Sequence, residues 1–423
     1  MDNFKEKIRL IFTDKVLRKR MLFVLGALVV FRLLAHIPVP GIDTERLSSF
    51  FSGNELLGLL NLFSGGGLSN LSIIMLGVGP YITASIIMQL LTIVFPKLKA
   101  LYQEEGDAGR KKFTQYSRIL TVPLSIIQGY AFLTLLTKQN VIPVLPFFDM
   151  VTNIIIITAG SLLLMWIGEL ITEFGIGNGV SLIIFAGIVA SLPSQITQLV
   201  YTFDISQIPL YLAFLVAALA IIFGVVVITE AERPVPITYA KRVRGSRVYG
   251  GLSTYLPLRV NQAGVIPIIF ALSILLFPQL IFSFLSTVDN ATLQSIGKFV
   301  TAIIANQWFY AIAYFVMVFL FTYFYTAITF DPHSIATNLQ KNGAFIPGVR
   351  PGDSTAEHLS KILTRITLVG ALFLGVIAVL PLLMRSLTGI ANLAIGGTAL
   401  LIVVSVVIDL IKKIDAQVSI REY

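Results

Sequence analysis

Residue types that carry chemistry are few in this chain and stand far apart. Cysteine is absent, which removes disulfides, thiolate metal sites and a thiol nucleophile. The three histidines, His36, His333 and His358, are scattered between the end of one apolar stretch and polar loops. No HExxH pair, no paired aspartates and no Ser/His couple of the kind an intramembrane protease needs can be assembled from them. A GxxxxGK[ST] loop to cradle a nucleotide's phosphates is also missing. The expectation is a protein with no catalytic residues, no metal and no cofactor. Four ionisable residues lie within or at the ends of apolar stretches: Arg32, Glu169, Glu173 and Asp409. Charges in hydrocarbon are costly and default to functional readings. Arg32 reads as a snorkelling or pairing residue that holds a bundle together, and Glu169 and Glu173 read as interfacial. An ion-coupled transporter would need a carboxylate near the middle of a span, and most of the apolar stretches carry none.

The elements that hold these residues are long apolar blocks. Of the 423 residues 56% are hydrophobic and only 13% charged, against about 25% charged in soluble domains. The blocks run near the ~20 residues that cross about 30 Å of hydrocarbon. Ten spans are predicted, at about 21–37, 76–95, 118–137, 153–171, 180–199, 208–228, 263–285, 305–329, 363–384 and 393–411. A half-length apolar segment, Leu56 to Leu76, is broken by Gly65, Gly66 and Gly67 and cannot cross as one helix. The N-terminal stretch MDNFKEKIRLIFTDKVLRKR is basic and amphipathic and does not read as a cleavable signal peptide. Of the 31 Lys and Arg, 26 fall on alternate loops and the two ends, four (Arg46, Lys138, Lys298 and Arg385) fall on the other side, and Arg32 lies in the first span. The positive-inside rule therefore places both termini in the cytoplasm. The same asymmetry accounts for the net charge of +9 without nucleic acid.

A weak internal repeat is visible. GVGPYI (Gly77–Ile82) opens span 2 and GVIPII (Gly264–Ile269) opens span 7. Gly-rich turns, GIGNG (Gly175–Gly179) and Gly396–Gly397, precede spans 5 and 10. An offset of five spans is odd, so the two halves are inverted relative to each other. Gly- and Pro-broken spans are tolerated only where protein covers them or where they line a cavity. An aliphatic interior without polar ligands suits a passage that binds nothing specifically.

Eight segments in chain order carry a closer likeness, among them FRLLAHIPVPGID (Phe31–Asp43), LNLFSGGGLSNLSI (Leu60–Ile73), GVGPYITASIIMQLL (Gly77–Leu91), LPLRVNQAGVIPIIFA (Leu256–Ala271) and NGAFIPGVRPG (Asn342–Gly352). Over essentially its whole length the chain resembles the SecY family, the channel subunit of the bacterial Sec protein translocon. The resemblance implies an all-α membrane protein of ten transmembrane helices, in two inverted five-helix halves around a central pore. It implies a pore ring of aliphatic side chains at Val78, Ile82, Ile184, Ile188, Ile269 and Ile402. It implies a plug over about 57–70, filled by Leu59, Leu60, Leu62 and Phe63 and hinged at Gly65, Gly66 and Gly67. A lateral gate is implied between spans 2–3 and 7–8, with Gln89 and Gln128 as candidate polar seam residues. Lys241, Arg242, Arg244 and Arg247, on an expected hairpin, and Arg350, on a Gly/Pro turn, would dock the motor ATPase SecA or the ribosome. The implied partners are SecE, SecG, SecA, the ribosome, signal sequences with their secretory polypeptides, and membrane lipid.

The organisation expected is a cytoplasmic N-terminal segment (1–20), a first half (21–200), a second half (201–411) with cytoplasmic loops 229–262 and 330–362, and a cytoplasmic tail (412–423). Two rivals are an inverted-repeat secondary transporter and an insertase or scaffold without an aqueous pore. The cation count yields a direct expectation. Cysteines placed in Tyr239–Gly251 or Asn342–Gly352 should react with an impermeant reagent only from the cytoplasmic face, and one at position 289 only from outside. Labelling of position 289 from the cytoplasm would overturn the ten-span topology.

Overall fold

The structure is a computed structural model that describes residues 14–40, 61, 64–68, 70–103, 105–138, 141–201, 208–240, 242–244, 247–249, 253–285, 291–388 and 396–422. Each predicted span falls on a helix: α1 (Lys15–Leu34), α2 (Gly79–Val94), α4 (Gly106–Lys138), α5 (Phe147–Phe174), α6 (Gly179–Tyr201), α7 (Ile208–Glu230), α8 (Ile266–Leu285), α10 (Gln307–Thr329), α12 (Asp353–Thr388) and α13 (Gly396–Glu422). Three more helices are α3 (Pro96–Gln103), α9 (Ala291–Ala305) and α11 (Pro332–Lys341). Among the described residues five helices are long and apolar enough to cross a membrane on their own. A sixth qualifies when α2 and α3, bent by 117°, are counted as one. The bend has a local cause: Phe95 is extended (φ −110°, ψ 105°), as the residue before Pro96 must be.

Span 2 begins later than the apolar block implies. Residues 71–78 form turns, and the helix starts only at Gly79, with Pro80 in its first turn. The turns lie against the end of α1. Ile73 N–H donates to Ile37 O (2.9 Å), Val39 N–H to Leu71 O (2.8 Å) and Asn70 Nδ2 to Ala35 O (3.3 Å). The hydroxyl of Ser161 on α5 donates to Gly77 O at 2.8 Å. Beneath them Val39, Leu68, Leu71, Met75, Phe132 and Leu133 form a buried apolar cluster.

The two large loops hold a feature the all-helical expectation omits. Strand β1 (Glu232–Tyr239) pairs antiparallel with β4 (Ser253–Arg259) on one side and with β5 (Ala344–Phe345) on the other. The loop before α8 and the loop before α12 are therefore one unit. Val235, Leu258, Ile346 and Leu359 fill its small core. Between β1 and β4, strands β2 (Arg242–Arg244) and β3 (Arg247–Tyr249) form the expected hairpin, with Arg244 opposite Arg247. At about 54 Å, the 36 residues of α12 exceed a bilayer core, and its first turns belong to this unit. There the Lys361 ammonium, 2.7 Å from Glu357, holds that exposed carboxyl below its ordinary range by hydrogen bonding and charge.

Close backbone approaches fix the bundle. Gly160 on α5 lies against the Ile73 carbonyl, and Gly179 against the Gly168 carbonyl, so that no Cβ fits at either position. Gly160→Ala should push α5 off the turn that carries span 2. A loss of about 1–3 kcal/mol is expected, read as a lower melting temperature of the purified protein in detergent. An unchanged melt would show that the approach is not needed.

Candidate functional site

The six positions implied for the ring come from four helices. Val78 caps α2 and Ile82 follows in its first turn, its N–H donating to Val78 O at 3.0 Å. Ile184 and Ile188 share a face of α6 at i, i+4. Ile269 lies in the first turn of α8 and Ile402 in the second turn of α13. All six are buried and belong to one contiguous apolar cluster. Within the bundle α2 packs on α8, and α6 packs on α13.

Over Ile82, Ile184 and Ile269 opens a cavity of about 440 Å³. Its walls come from α2, α4, α5, α6, α8 and α10, and they turn polar away from the aliphatic floor, through Tyr81, Gln89, Arg118, Glu169 and Tyr325. The Arg118 guanidinium donates to the Glu169 carboxylate at 2.6 Å, tying α4 to α5. Glu173 lines the same cavity. The sequence expectation of interfacial glutamates thus acquires a specific partner that lies 51 residues away, a distance at which no local pattern could show it.

Gln89 lines the cavity and donates to Ser85 Oγ at 3.3 Å. Gln128 on α4 is half-buried and is not among the lining residues, so the structure does not bring the two glutamines together there. Of the plug positions, Gly65, Gly66 and Gly67 are described, whereas Leu59, Leu60, Leu62 and Phe63 lie outside the described residues. Gly65 has φ 67°, and the Phe31 ring occupies the place of a Cβ, so glycine is required twice over. Arg32, the one cation inside span 1, donates from Nη1 to Gly65 O at 2.5 Å. Among the described residues its partner is this loop carbonyl, and no carboxylate pairs with it.

Of the basic positions that the resemblance implies for docking, Lys241 lies outside the described residues, and Arg242, Arg244 and Arg247 are placed by their strands alone. Arg350 is exposed, between Gly348 (φ 81°) and Gly352 (φ 97°), and its carbonyl accepts from Thr355 Oγ1 at 2.8 Å. It is in no ion pair among the described residues. No group of three or more His, Asp or Glu that could hold a metal occurs among the described residues.

Comparison with known proteins follows the same lines. The SecY family model matches residues 72–411. Protein translocase subunit SecY of Streptomyces coelicolor is 43% identical over 431 residues, covering 97% of either chain. That of Mycobacterium leprae is 42% identical over 427 residues, covering 96% of either chain. Among solved structures, one described as a protein conducting channel superposes with a TM-score of 0.65 at 19% identity, over 95% of this chain and 93% of that one. Sec61 in the canine ribosome–channel complex superposes with a TM-score of 0.63 at 18% identity, with the same coverage. The fold is that of an all-α membrane protein with the architecture of these channels. The chain belongs to the SecY family.

The Arg32 contact can be tested directly. A hydrogen bond from a charged donor contributes about 1.5–3 kcal/mol. Arg32→Met should therefore loosen the turn at Gly65, lowering the melting temperature and raising ion leak through the purified protein in planar bilayers. If neither changes, the contact holds nothing in place.

Proposed function

We propose that this chain is the protein-conducting subunit of a bacterial Sec translocon. It passes unfolded secretory polypeptides across the cytoplasmic membrane and releases hydrophobic segments sideways into lipid. One observation carries the reading: six aliphatic residues from four helices share one buried cluster, beneath a polar cavity walled by both halves of the chain. Such a constriction offers a passing peptide no hydrogen bonds, so any sequence can slide. When empty, it excludes water and ions by dewetting. The segment around Gly65–Gly67 serves as the hinge of a plug over 57–70. The lateral gate is the seam where α8 meets α2 and α4, with Gln89 and Gln128 as its polar positions.

The chain has no energy source of its own, and the jointed cytoplasmic loops give it a place to receive one. Lys241, Arg242, Arg244, Arg247 and Arg350 form the docking surface for SecA or the ribosome, since arginine forks pair with carboxylate and phosphate alike. SecE and SecG complete the complex, and signal sequences enter at the seam. The halves 21–200 and 201–411, with both termini cytoplasmic, are the bodies that move. A secondary transporter finds no support in the comparisons.

The test is at the ring. The closed state depends on apolar contact there and the open state does not, so a polar substitution shifts the population toward open. Loss of one buried aliphatic contact is worth about 1–3 kcal/mol, enough to change the open fraction about five- to hundred-fold. Ile402→Asn and Ile269→Asn should each raise resting conductance in planar bilayers and let a precursor with a defective signal sequence be exported from cells. If both variants stay as tight and as selective as the parent, the constriction lies elsewhere.

A further inference from the structure

Helix α9 has no task in this reading. Its 15 residues span about 22 Å, too little to cross a bilayer core of about 30 Å. It joins α8 to α10 and packs on both. Its surface has distinct sides. Gly297 is buried, with Gln294 and Thr301 half-buried on the flank turned toward the protein. Leu293, Ile296 and Phe299, spaced i, i+3, i+6, form an apolar stripe that stays exposed, Phe299 to 68%. Lys298 is exposed as well. It immediately precedes Phe299, so the two project about 100° apart on the helix. From Ile296, at the middle of the stripe, it is two residues and so about 160° away; the cation opposes the apolar stripe, and this division into an apolar and a polar face suits a helix lying at a boundary between oil and water.

The neighbouring helix indicates what covers the stripe. α10 continues with Trp308, Ile312, Val316 and Leu320, an exposed ridge at i, i+4 spacing. On a membrane-spanning helix that ridge faces acyl chains, and Trp308 at its end sits where tryptophans mark the interface. The stripe of α9 lies next to it in the chain, on a helix that packs against α10. A protein partner fits less well, because three side chains fall far short of the roughly 800 Å² per side of a stable interface.

We propose that α9 lies in the membrane interface, with Leu293, Ile296 and Phe299 seated at the headgroup–acyl boundary and the Lys298 ammonium on phospholipid phosphate. Lipid then holds the end of α8 remote from the cytoplasmic loops, on the helix that forms one side of the seam. Which leaflet is involved rests on the channel topology; the lipid seat itself does not.

The test uses the full chain with Trp166→Phe and Trp308→Phe, so that Phe299→Trp is the sole tryptophan. It is reconstituted in phosphatidylcholine or phosphatidylglycerol vesicles with bromine placed shallow or deep on the acyl chains. Emission from position 299 should be blue-shifted and quenched by about a half or more by shallow bromines, less by deep ones, as for a helix sunk about 5–10 Å. Adding Lys298→Glu should reduce that quenching in phosphatidylglycerol more than in phosphatidylcholine. Water-like, unquenched emission overturns the proposal, and an unaltered response to Lys298→Glu overturns the headgroup contact. A photo-crosslinker at 299 in native membranes should yield lipid adducts; a protein adduct would show that a partner chain covers the stripe instead.

Discussion

A backbone that leaves its helix inside hydrocarbon has to find its hydrogen bonds within the protein. The whole constriction depends on how this chain meets that demand between α1 and α2. Residues 64–68 and 70–78 are not helical, yet polar groups along them find partners in the protein: Ile73 N–H on Ile37 and the Leu71 carbonyl on Val39 N–H in a strand-like pairing, Asn70 on Ala35, the Gly77 carbonyl on Ser161 of α5, and the Gly65 carbonyl on Arg32. This turn positions Val78 and starts α2 at the height where Ile82 joins the apolar cluster. The close seat of Gly160 on the Ile73 carbonyl ties the same turn to α5. A continuous helix from residue 71 would have satisfied its own backbone, but it would have carried Val78 and Ile82 elsewhere.

What the sequence made legible, and what it hid, follow from the range of the interactions. Span positions are a matter of composition over about 20 residues, and each of the ten falls on a helix. The Pro and Gly punctuation that opens spans 2, 5, 7 and 10 is also local, and the six aliphatic positions lie at or within three turns of those helix starts. Helix α9 leaves no such mark, because an amphipathic helix of 15 residues is not an apolar block long enough to cross. Strand β5 has only two residues, and it becomes a strand by pairing with β1 more than a hundred positions earlier. The Arg118–Glu169 pair and the hold of Arg32 on Gly65 are equally non-local. Arg32 was readable as a residue that needs a partner, but its partner was not readable.

The β1–β4–β5 unit changes how a force on the two large polar loops reaches the bundle. Two separate loops would transmit little, because each could yield by itself. Joined by a ladder and a small core of Val235, Leu258, Ile346 and Leu359, they move together. β4 leads into α8, and β5 leads through the Arg350 turn into α12. Outside this unit, Lys412 on α13 pairs with Glu230 at the end of α7 at 2.9 Å, fastening another point of the same half near its polar surface.

On the membrane side, the seam separates two firmly built leaves. α8 is fastened to α10 by edge-on aromatic contacts, with Phe270 at 6.1 Å from both Phe321 and Tyr325. α2 and α4 pack along each other on the opposite leaf. Between the leaves run the aliphatic contacts of the ring and the walls of the cavity, with Gln89 and Tyr81 at its polar end. Dispersion contacts are individually tiny and add up only while surfaces stay in register, so a small shift of one leaf loses many at once. In the function proposed above, the seam is the plane along which the bundle parts. Directional bonds and aromatic pairs keep each leaf whole while it moves, and the apolar faces that part can be covered again by lipid or by an apolar segment of a passing chain.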